Sequence, residues 1–142
     1  MKHKIGYNKL NRVAAHRKAL VRNMVTVLLK EEKIVTTKAK AIEARRAAEK
    51  LITRAKVDSV HNRRIASARL YGEDAVAKLF TDIGPRFKER NGGYTRILKL
   101  GDRASDAASL VVLELVDQKA DVKRAERDKR KAARKAKEAD RK

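Results

Sequence analysis

The sequence predicts an α/β fold of the α+β type, a compact single domain with about four helices packed on a small three-stranded sheet. Three observations predict it. The first half of the chain contains two long segments with apolar residues at helical spacing, and the second half contains two short aliphatic segments typical of strands. The length of 142 residues is that of one ordinary domain.

Helical and strand patterns alternate in the first half of the chain. Residues 1–11 are basic and lack a sustained apolar period, so they are predicted to form an extended N-terminal arm. A helix is predicted over 12–30, and a second, alanine-rich helix over 38–56. Between them, KIVTT at 33–37 is β-branched after its lysine and predicts a strand, with Thr37 placed to cap the second helix.

Two shorter helices are predicted in the middle of the chain. Asp58 or Ser59 is suited to cap the first of them, which runs through VHNRRIASARL. The next begins at Glu73 and is expected to stop where Gly84 acts as a C-terminal cap and Pro85 cannot continue the helix.

Strands are predicted at 94–100 and 110–116, where they can pair antiparallel with KIVTT as the third strand. Alternate residues of a strand share one face of the sheet. In LVVLELV the set Val111, Leu113 and Leu115 is wholly apolar, whereas the other set includes Glu114. The sheet is therefore expected to be buried mainly on one face.

The last segment, 118–142, consists of Lys, Arg, Ala, Glu and Asp with single Gln and Val residues. Its helix propensity is high, but it has no apolar stripe that could dock it on a core. It is predicted to be a tail that is disordered or forms a helix on a ligand. The predicted division is therefore an arm at 1–11, a globular nucleic-acid-binding domain at 12–117 and this tail.

The charge distribution indicates a polyanionic partner. Lys and Arg total 38 against 18 Asp and Glu, a formal net charge of +20. The excess lies at the two ends: residues 1–56 hold 16 basic and 4 acidic residues, residues 57–117 hold 10 and 9, and 118–142 hold 12 and 5. No acidic residue precedes Glu31. Such concentrated positive charge is typical of nucleic-acid binding, because phosphates relieve the repulsion.

Several classes of protein are disfavoured by composition. The absence of cysteine excludes disulfides, thiolate zinc sites and cysteine nucleophiles. No apolar run is long enough to span a membrane, which predicts a soluble, cytoplasmic protein, with bacterial and organellar origin both open. The three histidines lack zinc-site spacing, and the paired acids point apart on a helix. No catalytic site, metal, cofactor or small-molecule substrate is therefore expected.

The stretch NGGYTRILKL at 91–100 could be taken for a phosphate-binding loop. Its two glycines match neither the dinucleotide fingerprint nor the P-loop, so they predict a turn leading into a strand. Strand alternation places Arg96 and Lys99 on opposite faces, which argues against one basic patch. Tyr94 and Arg96 remain candidate contacts at the start of the strand.

Six segments carry a resemblance to a known family. In order they are LNRVAAHRKALVRNM, IVTTKAKAIEARRAAEKLIT, AKVDSVHNRR, VAKLF, GPRF and GGYTRILKLG. Together they resemble bacterial large-subunit ribosomal protein seventeen, collinearly from about Lys2 to Asp117. The sequence departs from the family pattern at Ser105, where glycine is usual, and at Ser109, where proline is frequent, so the hairpin loop is expected to differ.

The resemblance implies a non-enzymatic protein that binds large-subunit ribosomal RNA near the peptide exit tunnel, with neighbouring ribosomal proteins as further partners. It also implies RNA contacts by the matched arm and first helix, namely Lys2, His3, Lys4, Lys9, Arg12, His16, Arg17 and Arg22. A second group of implied contacts comprises Arg63, Arg64, Arg86, Tyr94 and Arg96. Contacts are expected to read RNA shape and backbone rather than bases, since aromatic residues are few.

Two other functions are compatible with parts of the sequence. A histone-like DNA-compacting protein would have the same charge. A small nuclease would need an acidic metal cluster or a paired histidine site, and neither is recognisable here.

Overall fold

The computed structural model describes residues 6–116 and confirms the predicted fold class. Residues 1–5 and 117–142, which include the predicted tail, lie outside this range. Four helices and three strands follow one another in an α-β-α-α-α-β-β order. Their bounds are α1 Ala14–Glu31, β1 Lys33–Thr37, α2 Lys38–Ala55, α3 Val60–Ser67, α4 Glu73–Lys78, β2 Thr95–Asp102 and β3 Ser109–Leu115.

The sheet is antiparallel with strand order β1-β3-β2, so the last strand in the chain is the central one. One face of β3 packs on the helices and buries three aliphatic residues completely: Val111, Leu113 and Leu115. The opposite face is partly open to solvent, with Val35 at 63% and Leu98 at 46% exposure. The prediction of a sheet buried mainly on one face is confirmed.

Helices α1 and α2 supply most of the remaining core. The buried stripe of α1 contains Val25, Leu28 and Leu29, and that of α2 contains Ala44, Ala48, Leu51 and Ile52 among others. Alanines on the buried stripe of α2 permit a close approach of its neighbours, because they project little from the helix. The helical spacing of apolar residues therefore identified both helices correctly.

The segment after α4 corrects one prediction. The helix does not stop at Gly84 but passes through a π-helical segment, Leu79–Ile83, into a last helical turn, Gly84–Arg86. Gly84 has helical dihedral angles, and a Cβ atom there would lie 2.5 Å from the carbonyl oxygen of Ala55. Glycine is thus needed for close contact with α2 rather than for capping. Pro85 is tolerated because it begins a new turn, where its missing N–H has no partner to lose.

Two of the three other local predictions for helix caps and turns are confirmed. The Ser59 side chain accepts a hydrogen bond from the Asn62 backbone N–H at 3.2 Å, so the predicted cap of α3 is confirmed. Thr37 occupies the N-cap position of α2 but its side chain makes no capping hydrogen bond, and that prediction was wrong in its chemistry. Gly92 and Gly93 both have positive φ, which confirms the predicted turn before β2.

Candidate nucleic-acid interface

The end of the N-terminal arm is held against α2. Both the backbone N–H and the side-chain amide of Asn8 donate to the same oxygen of Glu43, at 2.9 and 2.8 Å. The Arg46 guanidinium donates to the carbonyl of Gly6. Leu10 and Asn11 then take positive φ angles of 55° and 50°, which turns the chain into α1. The described part of the arm, residues 6–11, is therefore a docked turn beside α1.

A groove of about 780 Å³ opens along α1, and we call it the α1 groove. Its floor is apolar, with Val21 and Val25 from α1 and Leu51 from α2. Four cationic side chains and two tyrosines line it: Arg17, Lys18, Arg22, Arg69, Tyr7 and Tyr71. Its one carboxylate, Glu43, already accepts the hydrogen bonds from Asn8.

Two arginine–tyrosine pairs flank the groove. The guanidinium carbon of Arg17 lies 4.7 Å from the ring centre of Tyr7, and that of Arg22 lies 4.0 Å from the ring centre of Tyr71. Both distances are within the range of cation–π attraction. The two tyrosine residues nevertheless remain 47% and 41% exposed, so neither is enclosed by the core.

Arg22 also anchors the loop between α3 and α4. Its Nε and Nη2 atoms donate to the carbonyl of Leu70 at 3.1 and 2.6 Å, and Nη2 lies 3.4 Å from the carbonyl of Ser67. The backbone N–H of Tyr71 donates to the Thr26 hydroxyl at 3.0 Å. Arg22 was predicted to contact RNA; in the fold, much of its donor capacity is used to fix this loop to α1.

Three other arginines predicted to contact RNA are paired with carboxylates. Arg63 makes a two-pronged pair with Asp58 at 2.6 Å for each contact, Arg86 lies 3.0 Å from Glu32, and Arg96 pairs with Glu114. The Asp58 pair is exposed, and hydrogen bonding to Arg63 lowers the pKa of this carboxyl group despite some desolvation. Their contacts with RNA stay predictions, and phosphate would have to compete with these partners.

Tyr94 has a core environment. It is 3% exposed, and its ring packs edge-on against Phe87 with ring centres 5.3 Å apart. The Tyr94 hydroxyl lies 3.3 Å from that of Thr53, and the ammonium of Lys56 lies 5.0 Å from its ring centre. An RNA base could not stack on the ring without displacing core side chains, so the predicted contact there has little structural support.

The remaining predicted contacts are more accessible to a ligand than the paired arginines and the buried Tyr94. Lys9, His16 and Arg64 are exposed, and within residues 6–116 none of their side chains forms a hydrogen bond or ion pair. Arg17 donates to the carbonyl of Arg12 at 3.0 Å, and Arg12 donates to that of Leu10 at 2.9 Å, so both are partly engaged by backbone. The three earliest predicted contacts, Lys2, His3 and Lys4, lie outside the described residues.

Four of the six cationic and tyrosine side chains that line the α1 groove were missing from the predicted contacts: Tyr7, Lys18, Arg69 and Tyr71. Lys18 could have been included, since it lies in the acid-free run beside Arg17. No local pattern links Tyr7 to Arg17 or Tyr71 to Arg22, because each pair is made by segments that meet only in the folded chain.

A contrasting arrangement, the Glu32 cluster, consists of Glu32, Lys78 and Arg86. Glu32 is 8% exposed, and its two oxygens lie 3.1 Å from Lys78 and 3.0 Å from Arg86. Burial alone would raise the pKa of this carboxyl group, but the hydrogen bonds and charges of Arg86 and Lys78 outweigh it and lower the pKa. The cluster ties the end of α1 to the last residue of α4 and to the segment that follows it.

The described residues offer no arrangement for metal-dependent chemistry. Among residues 6–116, no group of three or more histidine or acidic side chains is placed to hold a metal ion. None of the helices in the same range is both long and apolar enough to cross a membrane.

Comparisons with known proteins show which family the chain belongs to. The family model described as ribosomal protein L17 matches residues 20–116, more than half of the chain. A relative named large ribosomal subunit protein bL17 from Treponema denticola is 64% identical over 117 residues, which cover 82% of this chain and 65% of that protein. The chain thus spans slightly less than two thirds of that relative's length.

Two further relatives carry the same name. The Treponema pallidum (strain Nichols) protein is 63% identical over 82% of this chain and 71% of its own length, and the Borrelia turicatae protein is 60% identical over 83% and 95%. The chain therefore belongs to the ribosomal protein L17 family, a family of ribosomal structural proteins and not of enzymes.

Proposed function

We propose that this protein is a structural constituent of the large ribosomal subunit that binds and stabilises folded ribosomal RNA and so supports translation. The names of its relatives, which are large-subunit ribosomal proteins, support the choice of subunit. One structural observation carries the RNA-binding part. Although four cations line the α1 groove, none of them is ion-paired with a carboxylate within residues 6–116.

Phosphate neutralisation is the physical basis of the proposed binding. Folded RNA brings phosphates close together, and cations that replace their counterions gain free energy from counterion release. Lys9, His16 and Lys18 lie on or just before α1 and are exposed. The folded domain holds these groups at fixed separations, which sets the register of the protein on the RNA.

The exit-tunnel location and the contacts with neighbouring ribosomal proteins are part of the same proposal and rest on the family resemblance. The chain has no cysteine, so a single Ser105→Cys variant can carry a hydroxyl-radical probe at one place. In assembled large subunits, cleavage of RNA around the tunnel exit would support this location. Cleavage confined to distant RNA helices would contradict it.

The salt dependence of binding tests the proposed RNA surface. A variant with Lys9, Lys18 and Arg69 replaced by Gln should lower the slope of log affinity against log salt by about one unit for each lost phosphate contact. Its stability should be retained, because these side chains are exposed and unpaired among the described residues. Binding would be measured on large-subunit ribosomal RNA.

The matched control replaces Lys33, Lys88 and Lys99 by Gln. These lysines are also exposed and unpaired within residues 6–116, but they lie on β1, after Arg86 and on β2. This variant removes the same charge and should leave the slope unchanged. Equal slopes for the two variants would contradict the assigned surface, and a clear preference for duplex DNA over ribosomal RNA in competition would favour the DNA-compacting alternative.

A further inference from the structure

We propose that the α1 groove is a binding site for one unstacked nucleobase of the bound RNA, held against Tyr71 while the groove cations contact the flanking phosphates. This inference rests on the proposed RNA-binding function and adds a mode of contact to it, since phosphate binding alone would need no groove. It also departs from the expectation that the protein reads only RNA shape and backbone.

The groove has the form that a flat ligand requires. Small side chains border it, with Ala15 and Ala19 from α1 and Ala47 from α2. Its floor is formed by buried Val25 and Leu51. The small alanine side chains leave room for an aromatic ring above the apolar floor. Binding is favourable because the ring leaves water when it enters the groove.

Tyr71 is positioned in advance for stacking. Its backbone is fixed to Thr26, the preceding carbonyl is held by Arg22, and the Arg22 guanidinium lies against its ring. The ring therefore has little freedom to lose when a base binds, which lowers the entropic cost of binding. Tyr7, paired with Arg17, offers a second partly exposed ring on the same groove.

Charge complementarity identifies the occupant as a nucleotide. Arg17, Lys18 and Arg69 line the groove without carboxylate partners among the described residues, while Glu43 is occupied by Asn8. An apolar side chain of a partner protein would leave these cations uncompensated. The chain's own first five residues would add Lys2 and Lys4 to an already cationic groove. A nucleotide supplies both a ring for the floor and a phosphate for the cations.

The test compares two RNA hairpins with the same stem, one of which carries a single unpaired 2-aminopurine. Stacking is sequence-tolerant, so the stem need not be a natural site. The full-length protein should bind the bulged hairpin about tenfold more tightly than the continuous one, and 2-aminopurine fluorescence should fall on binding. Tyr71→Leu should remove this preference without changing the salt slope, whereas Tyr71→Phe should keep it.

The outcomes separate this inference from the proposed function. Salt-dependent binding with equal affinity for both hairpins, or an unchanged preference in Tyr71→Leu, would overturn the nucleobase site and leave RNA binding in place. Binding to neither hairpin nor ribosomal RNA would overturn the proposed function itself. If Tyr71→Leu does not fold, Tyr7→Leu provides the test, because Tyr7 precedes α1 and is 47% exposed. Tyr7→Leu should reduce the preference for the bulged hairpin. An unchanged preference in this variant would count against the nucleobase site.

A photo-crosslinking residue identifies what occupies the groove in the ribosome. A benzophenone amino acid in place of Ala15, which is exposed and lines the groove, would be activated in assembled large subunits. A crosslink to an RNA base supports the nucleobase site. A crosslink to a neighbouring ribosomal protein alone would overturn it.

Discussion

The α1 groove and the Glu32 cluster use the same kind of residue in opposite ways. In the Glu32 cluster, Arg86 and Lys78 converge on a buried carboxylate, which neutralises them and holds two parts of the fold together. In the α1 groove, Arg17 lies beside the Tyr7 ring and donates to a backbone carbonyl, and Lys18 is exposed. Neither has a carboxylate partner among residues 6–116. The cations of the two regions contribute equally to the net charge of the protein. Their surroundings decide whether they are held in an ion pair or remain available to a ligand.

The largest effect is expected when the Glu32 cluster loses its negative charge. Glu32→Gln would leave Arg86, whose side chain is 13% exposed, without its charged partner. Removing one partner of a buried ion pair typically costs about 3 kcal/mol or more of unfolding free energy. Urea denaturation should show this loss, while the salt slope of RNA binding should remain that of the wild type.

Glu31→Gln is the matched control for that experiment. Glu31 is adjacent, exposed and unpaired among the described residues, so its replacement should change the unfolding free energy by less than about 0.5 kcal/mol. Equal stability of the two variants would contradict the prediction that the Glu32 cluster stabilises the fold more than the exposed Glu31 does.

A smaller effect is expected at Arg22, which lies in the α1 groove but acts as an anchor. Arg22→Lys keeps the charge but cannot reproduce the two donors that converge on the carbonyl of Leu70. We expect a loss of about 1 kcal/mol of unfolding free energy with an unchanged salt slope. The same change at exposed Arg69 should leave stability unaltered, so equal effects of Arg22→Lys and Arg69→Lys would show that Arg22 is not an anchor.

The smallest effect is expected in the acid dependence of stability. The pKa of Glu32 is lower in the folded state than in the unfolded state. Its contribution to stability is therefore complete above the unfolded-state pKa and is lost as pH falls through the folded-state pKa. The difference in unfolding free energy between wild type and Glu32→Gln should therefore narrow as pH falls from 7 to 3. A constant difference would show that the ion pairs do not cause it.

Most of the fold could be predicted from local patterns. Apolar spacing identified α1 and α2, β-branched residues identified β1, and the alternation of Val111, Leu113 and Leu115 identified the buried face of β3. These patterns are readable because helices and strands repeat with fixed periods. Gly84 was misinterpreted because the atom that requires a glycine there belongs to Ala55, which is distant in the sequence.

The candidate site was less accessible to prediction, and its residues show why. Composition and the acid-free start of the chain were enough to predict a polyanionic partner and to predict that α1 contacts it. They could not show that Arg86 is paired with Glu32 or that Arg22 lies against Tyr71, because these partners are 54 and 49 positions apart. Charge is a property of each residue along the chain, whereas its neutralisation depends on which side chains folding brings within a few ångströms.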